Sequence, residues 1–483
     1  MGRRESSGSG AGQGVEGMTT SGLVVAANRA PGTIRRLEDG GFAVGHGAGG
    51  LAPSLARALE GRGALWVAAA LSDAERMVAS GSPVSNSGMD IDLDFVDLPA
   101  EVVAAAYNVV ANTTLWYLHH GLFDRIRRPI FDRHWHDAWR SYVAYNTAFA
   151  ERIARGAAPG ATVVVNDYHL SLVGSDLARL RPDLNTVHFT HTPFATPEEL
   201  SVLPSEAARA LMDGMCSFGA VGFHTALWRD RFLASASVWS ATVPVAFVAP
   251  LGSDAEQLRA SAAATEVAEA REALRTRTAG KRLIVRSDRI EPSKNIVRGV
   301  LAFQELLDSA PELISEVRLV MRLYASRTGL ADYLAYGAEI DRVTERVNER
   351  FTRDAGEPVI ELDRGDNFAA SLAALSIYDV LLVNPIRDGM NLVAKEGPLV
   401  NITEGALALS DQAGAFAELG TYSTRIEPFD VTGTAAALAD ALALDPAERA
   451  HRSVKLAEAA ALLPPAKWLD EVIRYARPAT LAS

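Results

Sequence analysis

The chain of 483 residues is 48% hydrophobic and 22% charged, with 47 Lys+Arg against 59 Asp+Glu and a net charge of −12. That is apolar material for two or three domains with buried cores, and the acidic balance disfavours non-specific binding to nucleic acid or an anionic membrane, both polyanions. Cys216 is the only cysteine, which excludes an intrachain disulfide and a cysteine-based zinc site and fits a reducing, cytoplasmic setting.

Residues 1–22 are rich in Gly and Ser, with Arg3, Arg4, Glu5 and Glu16 interspersed. They lack the apolar centre of a signal peptide and read as a disordered tail, leaving Met1 and Met18 both open as the start. Residues 23–254 read as a first domain, with candidate strands at Leu23–Ala27, Ala64–Ala70, Ile91–Leu98, Thr162–Asn166, Thr186–Thr190, Ala220–His224 and Val245–Ala249. Trp135–Ala154 and Pro197–Met215 carry helical periodicity between them. The apolar run Val102–Leu118 is interrupted by Asn108, Asn112 and two threonines, so no span of about 20 apolar residues is available for a bilayer helix.

Residues 255–281 read as a helical linker, Ala255–Thr276, stopped by Ala279-Gly280-Lys281. Residues 282–465 form a second series of strands at Arg282–Arg286, Val317–Arg322, Val359–Leu362, Val380–Val383, Leu407–Ser410 and Thr424–Ile426, with helices at Ile296–Leu307 and Asp332–Phe351. In the last segment, residues 466–483, a short helix around Trp468–Tyr475 is expected to pack back on one domain. Strands apolar on both faces and alternating with helices predict an α/β protein of two doubly wound, Rossmann-like domains facing each other across a cleft. A dinucleotide-binding dehydrogenase would need Gly-x-Gly-x-x-Gly after the first strand, where Asn28-Arg29-Ala30-Pro31 stands instead.

Two loops carry chemistry. Arg387-Asp388-Gly389-Met390-Asn391-Leu392-Val393-Ala394-Lys395-Glu396 follows the strand Val380–Val383. Gly389 permits a close approach, the free amides of a helix start near Gly389–Leu392 attract phosphate oxygens, and Glu396 two turns on accepts from ribose hydroxyls. Alone, Asp388 could equally cap its own helix. Arg289-Ile290-Glu291-Pro292-Ser293-Lys294-Asn295 follows the strand Arg282–Arg286 and offers a guanidinium and an ammonium to a diphosphate, or two solvated surface cations. His119 and His120 are adjacent, point apart on a helix, and have no carboxylate cluster to complete a metal site.

These loops resemble the trehalose-6-phosphate synthases of glycosyltransferase family 20. The likeness runs from about Leu23 to about Leu444 through Asn28-Arg29, Ala48-Gly49-Gly50-Leu51, Asn166-Asp167-Tyr168-His169-Leu170, His191-Thr192-Pro193-Phe194, Gly222-Phe223-His224-Thr225, Ser326-Arg327 and Leu409-Ser410. The resemblance implies a GT-B fold and retaining transfer of a sugar from a nucleotide diphosphate sugar, UDP- or GDP-glucose, to a sugar phosphate. It implies no cofactor and no metal. Asp167, His191, Arg289, Lys294 and Asp388 form the implied catalytic set. Arg289 and Lys294 hold the diphosphate, Glu396 the ribose, and Asp388 with Gly389, Met390, Asn391 and Leu392 the donor sugar and phosphate. Gly50, in a mobile loop, closes over the donor, while Asp167 and His191 line the reaction centre. Arg29, Tyr107, Trp116 and Arg327 grip the acceptor phosphate. The implied partners are small molecules, with homo-oligomerisation left open.

Departures from the family pattern are Asn295 in place of the usual glycine, the run Gly397-Pro398-Leu399-Val400-Asn401, a longer loop between Arg29 and Gly49, and a shorter Phe232–Pro250. Asn295 and the Pro-Leu-Val-Asn run are also features of pseudo-glycosyltransferases that couple a nucleotide cyclitol to an aminocyclitol phosphate. A non-catalytic sugar-phosphate sensor is the alternative of another class; the filled positions Arg289, Lys294, Asp388 and Glu396 speak against it.

Overall fold

The computed structural model describes residues 20–38, 41–45, 51–82, 84–85 and 91–479. Every expected strand forms, shifted by a few residues at its ends, and the strands assemble into two large parallel sheets. The first runs Val245–Val248, Ala220–Phe223, Asn185–Thr190, Ala157–Asn166, Ser21–Ala26, Ala64–Ala69, Ile91–Val96. Residues 21 and 22, read as the end of a tail, belong to its strand Ser21–Ala26, where Ser21 pairs with Ala157. From that strand the chain first winds to one side, then returns to the other with Ala157–Asn166. The reversal opens a crevice over the carboxyl ends of these two neighbours, the switch point at which open α/β sheets take ligands.

The second sheet repeats the design in the order Ile360–Asp363, Val317–Tyr324, Arg282–Arg289, Val380–Val383, Ala406–Ser410, Thr424–Ile426. Its reversal falls between Arg282–Arg289 and Val380–Val383. Every side chain of Ala64–Ala69, Val380–Val383 and Ala406–Ser410 is buried, because helices cover both faces of each sheet.

A third, small sheet was not expected. Ile34–Arg36 pairs antiparallel with Phe42–Val44, both inside the stretch read as a long loop after Arg29, and Phe42–Val44 pairs in parallel with the distant Val84–Ser85. The helix expected over Pro197–Met215 is two helices, Pro197–Leu200 and Ser205–Cys216, separated at Pro204, whose ring cannot donate a helical hydrogen bond. The expected linker helix is also two, Ala255–Ala262 and Thr265–Arg277. Their Ala262, Val267 and Leu274 are buried with Leu283, Leu372 and Tyr378 of the second domain.

The last helix, Pro465–Tyr475, crosses back to the first domain. Trp468 is fully buried there and donates to the Ala249 carbonyl at 3.1 Å, while Tyr475 stacks on Phe247 at 3.9 Å. Other contacts join the two halves directly. Trp228 Nε1 donates to the Gly389 carbonyl at 3.1 Å, and Arg387 pairs with Glu199 at 2.7 Å.

Candidate active site

In the second domain, Arg289 ends its strand and Lys294 ends a single 3-10 turn, Pro292–Lys294. Lys294 Nζ donates to Asp388 Oδ2 at 2.6 Å, and Asn391 Nδ2 donates to the same oxygen at 3.1 Å. The first cation loop and the Asp388 loop therefore meet across the switch point. Burial would push the Asp388 carboxyl up, but Lys294 outweighs it and holds it below its ordinary value. Arg289 is about half exposed, its Nε 3.2 Å from Glu291.

The helix after Asp388 starts later than its composition predicts. It spans Val393–Val400, because Asn391 has φ +71° and breaks the helical run that good helix formers suggest. Gly389–Leu392 is a turn whose four backbone amides donate to no group among the described residues, so unpaired donors are present without the helix. Gly389 is required by space: a Cβ there would fall 1.8 Å from the His191 carbonyl oxygen. Glu396 has no hydrogen-bond partner among the described residues, and burial raises its carboxyl to about 7. Lys395, between them, is structural: it is buried, donates to the Leu251 carbonyl and pairs with Glu418.

The departures at Asn295 and Gly397–Asn401 turn out to serve the scaffold. Asn295 has φ +58°, a conformation asparagine tolerates nearly as glycine does. Its side chain ties the Lys294 turn to the Asn384 and Pro428 carbonyls at 3.0 and 2.6 Å. Asn401 closes the turn beyond its helix by accepting from the Thr403 and Gly405 amides.

In the first domain, Tyr107 and Trp116 lie on and just after a π-helix, Ala105–Leu115. Asn112, Thr113 and Thr114 each donate a side-chain hydrogen bond to the carbonyl five residues back. Nine residues of α-helix, at 3.6 per turn, would place the two rings on opposite faces. With i→i+5 bonding, at about 4.4 residues per turn, nine residues make two turns and the rings share a face. Arg29, after the first strand, donates to Tyr107 OH at 3.1 Å. Burial would raise the Tyr107 phenol, but Arg29 and Arg327 hold it below its ordinary value.

Arg327 comes from the second domain. Its guanidinium lies 5.0 Å over the Trp116 ring and donates to Tyr168 OH at 3.2 Å, Tyr333 OH at 2.6 Å and Glu291 Oε1 at 3.1 Å. It has φ +46°, and Asp167 has φ +69°. With Asn295 and Asn391, four of the seven described non-glycine residues at positive φ surround this cleft, the usual address of stored backbone strain.

Asp167 sits at the first switch point and accepts from the His191 amide at 3.2 Å; burial outweighs these bonds and raises its carboxyl to about 6. His191 is less available than the sequence suggests. Its Nδ1 meets His224 Nε2 at 3.2 Å and its Nε2 meets Asn166 Oδ1 at 3.0 Å, while burial depresses its pKa well below the ordinary value. The ring is a satisfied, neutral histidine; its main chain, packed on Gly389, borders the site.

Of the sequence-derived residues, Lys294 meets Asp388, Arg29 meets Tyr107 and Arg327 lies over Trp116, whereas the Met390 side chain is buried in the core of the second domain and Gly50 lies outside the described residues. Glu291, Tyr168 and Tyr333 were missed. An acidic residue set among the loop cations marked Glu291, and adjacency to Asp167 marked Tyr168; nothing local marked Tyr333. Among the described residues, no group of three or more His, Cys, Asp or Glu could hold a metal ion, and no helix is long and apolar enough to cross a membrane.

Two doubly wound sheets whose switch points face one cleft define the GT-B class of glycosyltransferase. The family profile of glycosyltransferase family 20 matches residues 21–477. A trehalose-6-phosphate synthase of Mycobacterium sp. (strain JLS) is 33% identical over 467 residues, covering 90% of this chain and 92% of the relative. Crystals of a UDP-forming alpha,alpha-trehalose-phosphate synthase from Burkholderia vietnamiensis show a similar structure, with 26% identity, a TM-score of 0.78 and coverage of 94% and 98%. An E. coli structure described as trehalose-6-phosphate bound with UDP-2-fluoro glucose is 25% identical, with a TM-score of 0.79 and coverage of 94% and 99%. The chain belongs to glycosyltransferase family 20 and is a glycosyltransferase.

Proposed function

We propose that the protein transfers a glucosyl group from UDP-glucose to glucose 6-phosphate, with retention, forming trehalose 6-phosphate. The observation that carries this is the meeting of two anion subsites in one cleft. Lys294, Arg289 and the free Gly389–Leu392 amides stand on one side; Arg29, Tyr107, Trp116 and Arg327 stand on the other. The similar proteins support uridine as the base and trehalose 6-phosphate as the product.

In this reading Arg289 and Lys294 neutralise the departing diphosphate, and the turn amides bind its oxygens. Glu396 takes the ribose hydroxyls. Asp388 and Asp167 orient sugar hydroxyls, while the arginine–aromatic pocket holds the acceptor phosphate so that its anomeric hydroxyl faces the donor carbon. Attack occurs on the face the diphosphate leaves, and a phosphate oxygen takes the acceptor proton. The charge a metal would supply at the leaving group comes from the two side-chain cations, so neither metal nor cofactor is needed. The single buried Cys216 suits the cytoplasm.

The alternative reading is a pseudo-glycosyltransferase that couples a nucleotide cyclitol to an aminocyclitol phosphate, marked in the sequence by Asn295 and the Pro398–Asn401 run. The deciding experiment measures nucleotide release for a panel of sugar nucleotides with glucose 6-phosphate, glucose or a phosphorylated aminocyclitol as acceptor. UDP release with UDP-glucose and glucose 6-phosphate is expected; turnover only with a cyclitol pair would replace this function.

A further inference from the structure

Between the two anion subsites lies one buried carboxylate that neither subsite contains. Glu291 is 1% exposed, and its Oε1 is a shared acceptor. Arg289 Nε approaches it at 3.2 Å, Arg327 Nη1 donates at 3.1 Å, and Ser326 Oγ donates at 2.9 Å. Arg289 and Glu291 are two residues apart in extended backbone, which puts both side chains on one side of the strand end. Burial would raise the Glu291 carboxyl, but Arg289, Arg327 and Lys294 overcome it and hold it at about 2, so it stays ionised.

We propose that Glu291 is a positioning residue serving both substrates of the transfer, aiming the diphosphate arginine and the acceptor-phosphate arginine at once. This rests on the function proposed above. The geometry on each arginine supports it. Glu291 Oε1 forms an ion pair with Arg289 at its Nε, 3.2 Å away, and the Arg289 side chain stays half exposed. On Arg327 it takes Nη1, and together with Tyr333 and Tyr168 it fixes the guanidinium plane over Trp116. Because Arg327 has a left-handed backbone, the segment needs such an anchor to hold its side chain across the domain boundary. Two guanidiniums held side by side by one carboxylate do not have to be gathered by the incoming anions, so less ordering is charged to binding.

The test exploits opposite signs. Glu291→Gln keeps the shape and removes the charge. A carboxylate that merely adds negative potential would, once removed, tighten both anionic substrates. A positioning carboxylate predicts the reverse: KM for UDP-glucose and for glucose 6-phosphate both rise about tenfold, and the Kd of UDP rises in parallel. Ser326→Ala keeps the carboxylate and removes one of its two hydrogen-bond donors, so a smaller rise of about two- to fivefold in both constants is expected, and it decides the matter if Glu291→Gln does not fold. Tighter UDP binding, or a rise confined to one substrate in either variant, overturns the proposal. If the wild type releases no nucleotide with any pair, the function itself has failed. Thermal protection by inorganic pyrophosphate and by inorganic phosphate then reads the two arginines separately, and an unchanged response in both variants overturns the positioning role.

Discussion

Lys294→Ala separates what the buried Lys294–Asp388 pair does for the fold from what it does for the reaction. The two groups meet at 2.6 Å with 12% and 17% of their side chains exposed. Burial alone would depress the ammonium, yet Asp388 and Asp288 hold it above its ordinary value, while Asp388 is held below its own. Each partner thus stabilises the charged form of the other. Losing one electrostatic stabiliser of a leaving group costs about 3–4 kcal/mol of transition-state energy, or about 10²–10³ in kcat. Truncating Lys294 also strands Asp388, and breaking a fully buried pair costs about 3–5 kcal/mol. The residual exposure and the remaining Asn391 bond place this case near the lower end. Initial rates at saturating substrates read the first effect, and denaturant unfolding reads the second. Lys294→Met combined with Asp388→Asn removes both charges, so it should recover stability without recovering activity. A Lys294→Ala enzyme with kcat within about threefold of wild type would refute the diphosphate assignment, and undiminished stability would refute the energetic role of the pair.

Other perturbations probe the remaining parts. Arg327→Ala should raise KM for glucose 6-phosphate by at least about tenfold, the scale of a charge-assisted contact, with a smaller effect on the donor; wild-type enzyme using glucose and glucose 6-phosphate equally well would remove the phosphate pocket. Activity should survive exhaustive chelation, and complete loss restored only by Mg²⁺ or Mn²⁺ would contradict leaving-group stabilisation by Arg289 and Lys294. Glu396 has its folded pKa raised from 4.5 to about 7, so its contribution to stability is full below the unfolded value and lost as pH rises through 7. Glu396→Gln should therefore unfold at higher denaturant than wild type at pH 8, by about 1–3 kcal/mol, match it near pH 4.5, and bind UDP more weakly; equal stability at pH 8 would refute the half-buried carboxylate without a partner among the described residues.

Much of the architecture is legible in the sequence because its causes are local. Strands such as Ala64–Ala69 and Val380–Val383 are apolar on both faces, and only a helix-covered parallel sheet buries such runs. Arg289, Lys294 and Asp388 are readable as a group because each stands at or just after the carboxyl end of a strand, and carboxyl ends of strands are where this fold binds ligands. The start of the helix at Val393 is not readable from propensity, since the left-handed turn at Asn391 is imposed by Gly389 packing on His191 and Gly414 packing on Gly389. His191 is another such case: its motif points to the cleft, but Asn166, His224 and Trp468 arrive from three distant segments to engage the ring.

The acceptor pocket was decided in space. Tyr107 and Trp116 stand nine residues apart, a separation that in an α-helix sends one side chain away from the other. The π-helix turns them onto one face, where Arg29 and Arg327 converge from two different sheets. The polar residues that interrupt Val102–Leu118 are visible in the sequence as breaks in an apolar run. Only the fold shows that Asn112, Thr113 and Thr114 reach back five residues and support the wider coil, because that hydrogen-bond pattern depends on how the helix is packed rather than on the identity of any one residue.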